Sequence, residues 1–167
     1  HRRLRHGGPG FGDAVERRLF ADGHFFTPSG RARFLVDQPV EPPERTTPAR
    51  PLVLLTGRGS ASQWHTGTRT AKSAVLRSLA PEGPWVEIHP DDARVRDIRT
   101  GDRVAVRSAR GTMLARAQVA TTVAPGSVFV PMHDPHTNLL TFPAVDPHSR
   151  QPAYKHAAVE VCHPRPG

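Results

Sequence analysis

The residues best suited to chemistry lie in the stretch Thr56-Gly57-Arg58-Gly59-Ser60-Ala61-Ser62-Gln63-Trp64-His65-Thr66-Gly67-Thr68-Arg69-Thr70, directly after the apolar run Leu52-Val53-Leu54-Leu55. Backbone N–H groups and Ser and Thr hydroxyls donate hydrogen bonds to phosphate oxygens. Gly57 and Gly59 permit tight turns and close approach of the backbone. Arg58 and Arg69 add permanently charged, forked donors. Such a loop at the exit of a buried strand suits a polyanionic ligand. Gly, Ser and Thr are equally the residues of a solvated turn, so local composition leaves both readings open.

The histidines offer less. His133, His136, His148 and His156 fall close together in the last quarter of the chain, but their spacing fits no common zinc signature and no Cys or Glu completes a set. No metal site is expected from them. A charge pair between His133 and Asp134 is the alternative reading, left open by the residues alone. Asp91, Asp92 and Asp102 are assigned to capping and turns rather than to catalysis.

The elements that must carry these residues are short. Six runs alternate or are continuously apolar, at 52–56, 85–89, 103–108, 112–120, 127–131 and 157–162. They are rich in Val, Ile and Phe and are punctuated by Gly, Pro or Asp, the pattern of strands. Gly111 between two runs predicts a tight hairpin. Residues 90–98 predict a helix, with Pro90 at its first position, Asp91 and Asp92 in its first turn and Gly101 past its end. Ala71–Leu79 predicts a second. Six strands with few helices point to a small closed barrel, mainly β, which leaves no exposed edge.

Ahead of the barrel, residues 1–50 read as an extended connector. His1–Gly10 is a basic, Gly-rich arm. Residues 11–36 carry Phe11, Phe20, Phe25, Phe26 and Phe34 around a Thr27-Pro28-Ser29-Gly30 turn, too few apolar anchors for a core of their own. Residues 37–51 hold Pro39, Pro42, Pro43, Pro48 and Pro51 and form a stiff linker. The expected division is therefore 1–50 and 51–167.

The net charge is +8, from 23 Lys and Arg against 15 Asp and Glu. It supports an anionic partner, but only Lys72 and Lys155 are lysines and the arginines are scattered, as genomic base composition alone would produce. The single cysteine, Cys162, excludes an internal disulfide framework. No stretch approaches a membrane span, and a cytoplasmic setting is the default expectation.

Taken in order, the motifs resemble a known family. Trp85-Val86-Glu87-Ile88-His89-Pro90-Asp91-Asp92-Ala93, then Ile98-Arg99-Thr100-Gly101-Asp102-Arg103-Val104-Ala105-Val106, then a strand after Arg110-Gly111, resembles half of a double-psi β-barrel. The barrel is similar to the C-terminal molybdopterin-dinucleotide-binding domain of the bis-MGD molybdenum oxidoreductases. Phe25–Phe34 resembles the segment that precedes this domain in assimilatory nitrate reductases. Asn138-Leu139-Leu140-Thr141, then Asp146-Pro147 and Ser149–Lys155, resembles the closing motif of the family. The loop between Arg58 and Trp64 is one residue longer than the commonest pattern, and Met132-His133 stands where many relatives carry aromatics near the active-site funnel.

The resemblance implies a molybdopterin guanine dinucleotide cofactor (Mo-bis-MGD), with binding residues Thr56, Gly57, Arg58, Trp64, His65, Thr66, Thr68, Thr70, Met132, Asn138 and Lys155. Physically, hydroxyls and guanidinium suit a diphosphate. Asn138 suits the amide edge of a flat ring, Trp64 or His65 its face, and Lys155 an oxyanion. Taken singly, Trp64 is a packing residue, Asn138 a turn residue and Lys155 a solvated charge; the joint pattern carries the ligand reading. Neither an N-terminal cysteine motif for an iron–sulfur cluster nor a molybdenum-ligand region is present. The chain alone is expected to be inactive, with the remaining domains of the same oxidoreductase as its partners. The electron donor is not identified. The alternative is a free-standing basic barrel that binds nucleic acid or serves as an assembly module. Against nucleic acid, no aromatics interleave with basic residues along the strands.

Overall fold

The computed structural model describes residues 20–36, 38–59, 67–79, 82–147 and 149–164. It contains two compact units, His1–Val40 and Glu41–Gly167. In the first, Phe20 stacks on Phe25 with ring centroids 4.4 Å apart and meets Phe26 edge-on at 5.5 Å. The expected turn is present: Gly30 N–H donates to Thr27 O at 2.9 Å and Phe25 N–H to Gly30 O at 2.9 Å. Phe26, Phe34, Leu35 and Val36 are exposed. The arm at 1–10 and Phe11 lie outside the described residues.

The second unit is a closed barrel of six strands: β1 Leu52–Gly57, β2 Trp85–Ile88, β3 Arg103–Arg107, β4 Thr112–Val119, β5 Ser127–Pro131 and β6 Ala157–Cys162. Around the barrel their order is β1-β5-β2-β4-β3-β6. Two pairs are parallel, β1 with β5 and β2 with β4, and the other contacts are antiparallel. This is the double-psi barrel. Alternation along the strands fills it: Leu52, Leu54, Val86, Ile88, Val104, Val106, Met113, Ala115, Ala117, Val128, Val130, Val159 and Val161 form one buried cluster. Leu140 closes one end of that cluster, and Ala93 and Ile98 close the other.

The strand directions divide the ends. The exits of β1, β3 and β5 and the starts of β2, β4 and β6 share one end, which we call the upper end. The helix α1 Ala74–Ser78 has no buried residue. Ser73 caps it through a hydrogen bond from Leu76 N–H at 3.3 Å, which splits the expected helix over 71–79 into α1 and a single 3-10 turn, Thr70–Lys72. The helix α2, Pro90–Arg94, lies at the lower end and is shorter than the expected 90–98. Asp97 adopts φ +52°, and Ile98 N–H returns to Ala93 O at 3.0 Å. That left-handed closure ends the helix before Gly101 is reached. Asp92 accepts from Gly126 N–H at 2.7 Å and Asp102 from Arg99 N–H at 2.8 Å, the turn roles expected of them.

The compact unit begins at Glu41, ahead of the expected boundary at 51. A reason is visible at Glu44. Its carboxylate takes two hydrogen bonds from the Arg110 guanidinium, at 2.9 and 2.8 Å, and a third from Ala158 N–H at 2.8 Å. The segment ahead of the barrel is thereby tied to both the β3–β4 turn and β6.

The Arg110 hydrogen bonds hold the Glu44 carboxyl below its ordinary value of 4.5; burial opposes them and the Ala158 N–H assists. A carboxylate lowered in the fold adds stability that is fully present above its unfolded pKa and is lost as pH falls through the folded one. Glu44→Gln should therefore destabilise the barrel by about 2 kcal/mol near neutrality. The difference from wild type should shrink as pH drops below 4.5. Urea unfolding at several pH values measures this; a difference independent of pH would contradict a charged pair.

Candidate functional site

The inward register of β1 runs Leu52, Leu54, Thr56, so its last inward residue is polar and sits at the upper end. Thr56 is 8% exposed, and its hydroxyl donates to Tyr154 O at 2.7 Å. This bond lays the segment before β6 across the exit of β1. The parallel register places Gly57 beside Pro131, and Met132 N–H donates to Gly57 O at 2.8 Å. Two residues beyond the Gly57–Pro131 pair, Gly59 N–H donates to His133 Nε2 at 3.3 Å. Three segments remote in sequence, 56–59, 131–133 and 154–155, thus meet at one end of the barrel.

Gly59 has a steric reason beyond backbone freedom. A Cβ there would lie 2.6 Å from Pro131 Cγ and 2.9 Å from Trp85 Cζ2. Trp85 in turn packs on Phe129, with centroids 6.0 Å apart. The loop therefore leaves β1 pressed against the wall formed by β2 and β5.

Asn138 reaches the same end by another route. It lies in a 3-10 turn, Pro135–Leu139, capped by the Asp134 side chain. Thr137, 1% exposed, anchors that turn by donating to Pro131 O at 2.9 Å. Arg110 anchors its far side by donating to Leu140 O at 2.8 Å. Asn138 is left exposed between the two anchors, and Arg58 and Lys155 are exposed as well. The Lys155 ammonium stands 5.9 Å from the centroid of the Tyr154 ring, within cation–π range.

The expected residues fare unequally. Thr56, Gly57, Arg58, Met132, Asn138 and Lys155 gather at the upper end. Thr68 is exposed, and the Thr70 hydroxyl donates to Gly67 O at 3.4 Å within its own turn. Trp64, His65 and Thr66 lie outside the described residues, as does His148. The Asp134 carboxylate accepts from His136 N–H and stands 2.8 Å from His136 Nδ1, since a capping Asp turns toward residue i+2. Among the described residues no cluster of His, Cys, Asp and Glu could hold a metal. No helix of the described residues is long and apolar enough to cross a membrane.

Sequence reasoning missed Thr137 and the Glu44–Arg110 pair. Thr137 had a signal in its place beside Asn138; the pair spans 66 positions and had none. An open groove of about 270 Å³, lined by Pro90, Ala93, Arg94, Ile98 and Arg99 among others, lies at the lower end, away from these residues.

The class the fold defines is a double-psi barrel, here with a guanidinium, an ammonium and a carboxamide exposed at its upper end. Residues 52–158 match the Molydopterin dinucleotide binding domain family, and the chain belongs to that family. It is 36% identical over 137 residues to the F420-dependent formate dehydrogenase 1 subunit alpha of Methanococcus maripaludis, covering 81% of this chain and 20% of that protein. It is 37% identical over 145 residues to the assimilatory nitrate reductase of Haloferax mediterranei, covering 84% of this chain and 20% of that protein. The chain thus spans about a fifth of the length of these relatives. Acetylene hydratase from Pelobacter acetylenicus shares the fold, with a TM-score of 0.57 at 16% identity over 68% of this chain and 18% of that one. The cofactor of the family, a molybdopterin dinucleotide, fits the donors at the upper end: fixed positive charge for a diphosphate and an amide for a heterocycle edge.

Gly59→Ala should force the loop off Pro131 and Trp85 and cost about 1–3 kcal/mol, the usual range for overpacking. Urea unfolding measures the cost. A neutral substitution would show that the loop does not pack on this wall.

Proposed function

We propose that this domain is the C-terminal part of a molybdenum oxidoreductase of the assimilatory nitrate reductase type, and that its upper end holds the guanine dinucleotide of the Mo-bis-MGD cofactor. The carrying observation is the meeting of 56–59, 131–133 and 154–155 at one end, inside the region that matches the family. When bound, the cofactor supplies the redox chemistry of its molybdenum; the chain supplies position and charge.

In this reading Arg58 and Lys155 neutralise the diphosphate, the first as a fork and the second as a point charge. Asn138 pairs with the amide edge of guanine or pterin. Thr56 acts one step back, by holding Tyr154 O and so placing Lys155. Gly57 and Met132 form the floor between them. Trp64, His65, Thr66, Thr68 and Thr70 are assigned to the same ligand. The remaining domains of the same enzyme are the partners, and the setting is cytoplasmic. Nitrate is favoured by the Phe25–Phe34 segment and the closing motif. The formate dehydrogenase subunit, at nearly the same identity, makes formate the second reading.

Within the full-length oxidoreductase, Lys155→Ala and Asn138→Ala should each lower molybdenum content several-fold, measured by elemental analysis of the purified protein. Unchanged metal in both variants would refute the assignment of these residues. The isolated chain should reduce no nitrate with reduced viologen, and turnover by it would overturn the division of labour between domains.

A further inference from the structure

The two anchors of the Asn138 turn differ in kind. Thr137 acts through one neutral, buried hydroxyl, which donates to Pro131 O at 2.9 Å and lies 3.9 Å from Met113 Sδ. Arg110 belongs to a larger assembly. Its guanidinium is bidentate with Glu44, donates to Leu140 O at 2.8 Å and lies 5.2 Å from the centroid of the Phe142 ring. Glu44 and Arg110 side chains are 14% and 23% exposed, so this charge pair is well screened from water. Beside it, a Cβ on Gly111 would lie 3.0 Å from Leu139 O, so the hairpin turn is pressed against the last carbonyl of the Asn138 turn.

One carboxylate therefore fixes one guanidinium, and that guanidinium fixes the backbone two residues after Asn138. We infer that the Glu44–Arg110 pair is a positioning clamp: it sets the orientation of the Asn138 amide toward its ligand and couples the segment entering the barrel to the dinucleotide site. The inference rests on Asn138 being a ligand residue. Neither Glu44 nor Arg110 needs to touch the ligand. Lysine cannot replace Arg110, because a single ammonium cannot hold both carboxylate oxygens and the Leu140 carbonyl in the same fork. Glutamine at 44 keeps the shape but removes the charge that makes these bonds strong.

The test titrates guanosine diphosphate into the full chain and follows the side-chain amide resonances of Asn138 by 15N NMR. Glu44→Gln and Arg110→Lys should each shift those resonances before any ligand is added, with the barrel-core resonances unmoved. Each should also weaken binding about fivefold, as should Asn138→Ala. Glu44→Gln added to Asn138→Ala should cost nothing more, since coupled residues are non-additive. Asn138 resonances unmoved by both clamp variants, or full additivity of Glu44→Gln with Asn138→Ala, would overturn the clamp. Unchanged affinity in Asn138→Ala would instead overturn the ligand role of Asn138, while the resonances still decide whether the clamp orients it.

Discussion

The parallel ladder between β1 and β5 is the contact on which the rest of the molecule depends. Parallel neighbours cannot be joined by a tight turn, so the chain travels from Gly57 to Ser127 through β2, β3 and β4 before the pair can form. Closing that pair completes a barrel with no free edge. It also carries the exits of both strands to the same end. Gly57 then shares a backbone hydrogen bond with Met132, and Gly59 with the His133 ring. A site assembled from residues 56–59 and 131–133 is thus a consequence of strand direction, and the antiparallel β6 adds Tyr154 and Lys155 from the other side.

The two ends of the barrel then take different characters. The lower end is closed by the left-handed stop at Asp97 and the Asp102 turn, both local, and by the Asp92–Gly126 bond across 34 positions. The upper end is held by long-range side-chain bonds from Thr56 to Tyr154 and from Arg110 to Leu140 and Glu44, with the shorter Thr137–Pro131 bond between them. Polar groups that brace loops at the upper end leave the exposed Arg58, Asn138 and Lys155 on a fixed frame. A rigid barrel end bearing donors is what the proposed role, holding a cofactor in place, calls for.

Much of this was legible in the residues. The six strands fall within a residue or so of the apolar runs, because inward and outward positions alternate cleanly, as in Thr112–Val119. The gathering of Gly57, Met132 and Lys155 was legible only through family order, since no local feature says which strands are neighbours. The helices were overextended for a physical reason in each case. Ser73 takes a cap role that breaks one, and Asp97 enters the left-handed region that glycine was expected to supply. The Glu44–Arg110 pair was invisible, because a Glu in a Pro-rich segment and an Arg beside a hairpin glycine each have an ordinary solvated reading. Only the barrel brings them to 2.8 Å.

The central claim is that the dinucleotide sits at the upper end. It is tested most directly by mapping backbone amide shifts in the 15N-labelled chain as guanosine diphosphate is added. The account predicts that the largest shifts fall on Gly57–Gly59, Met132, Asn138 and Lys155. Shifts centred instead on Arg94, Arg99 and Val119, around the lower groove, would contradict it.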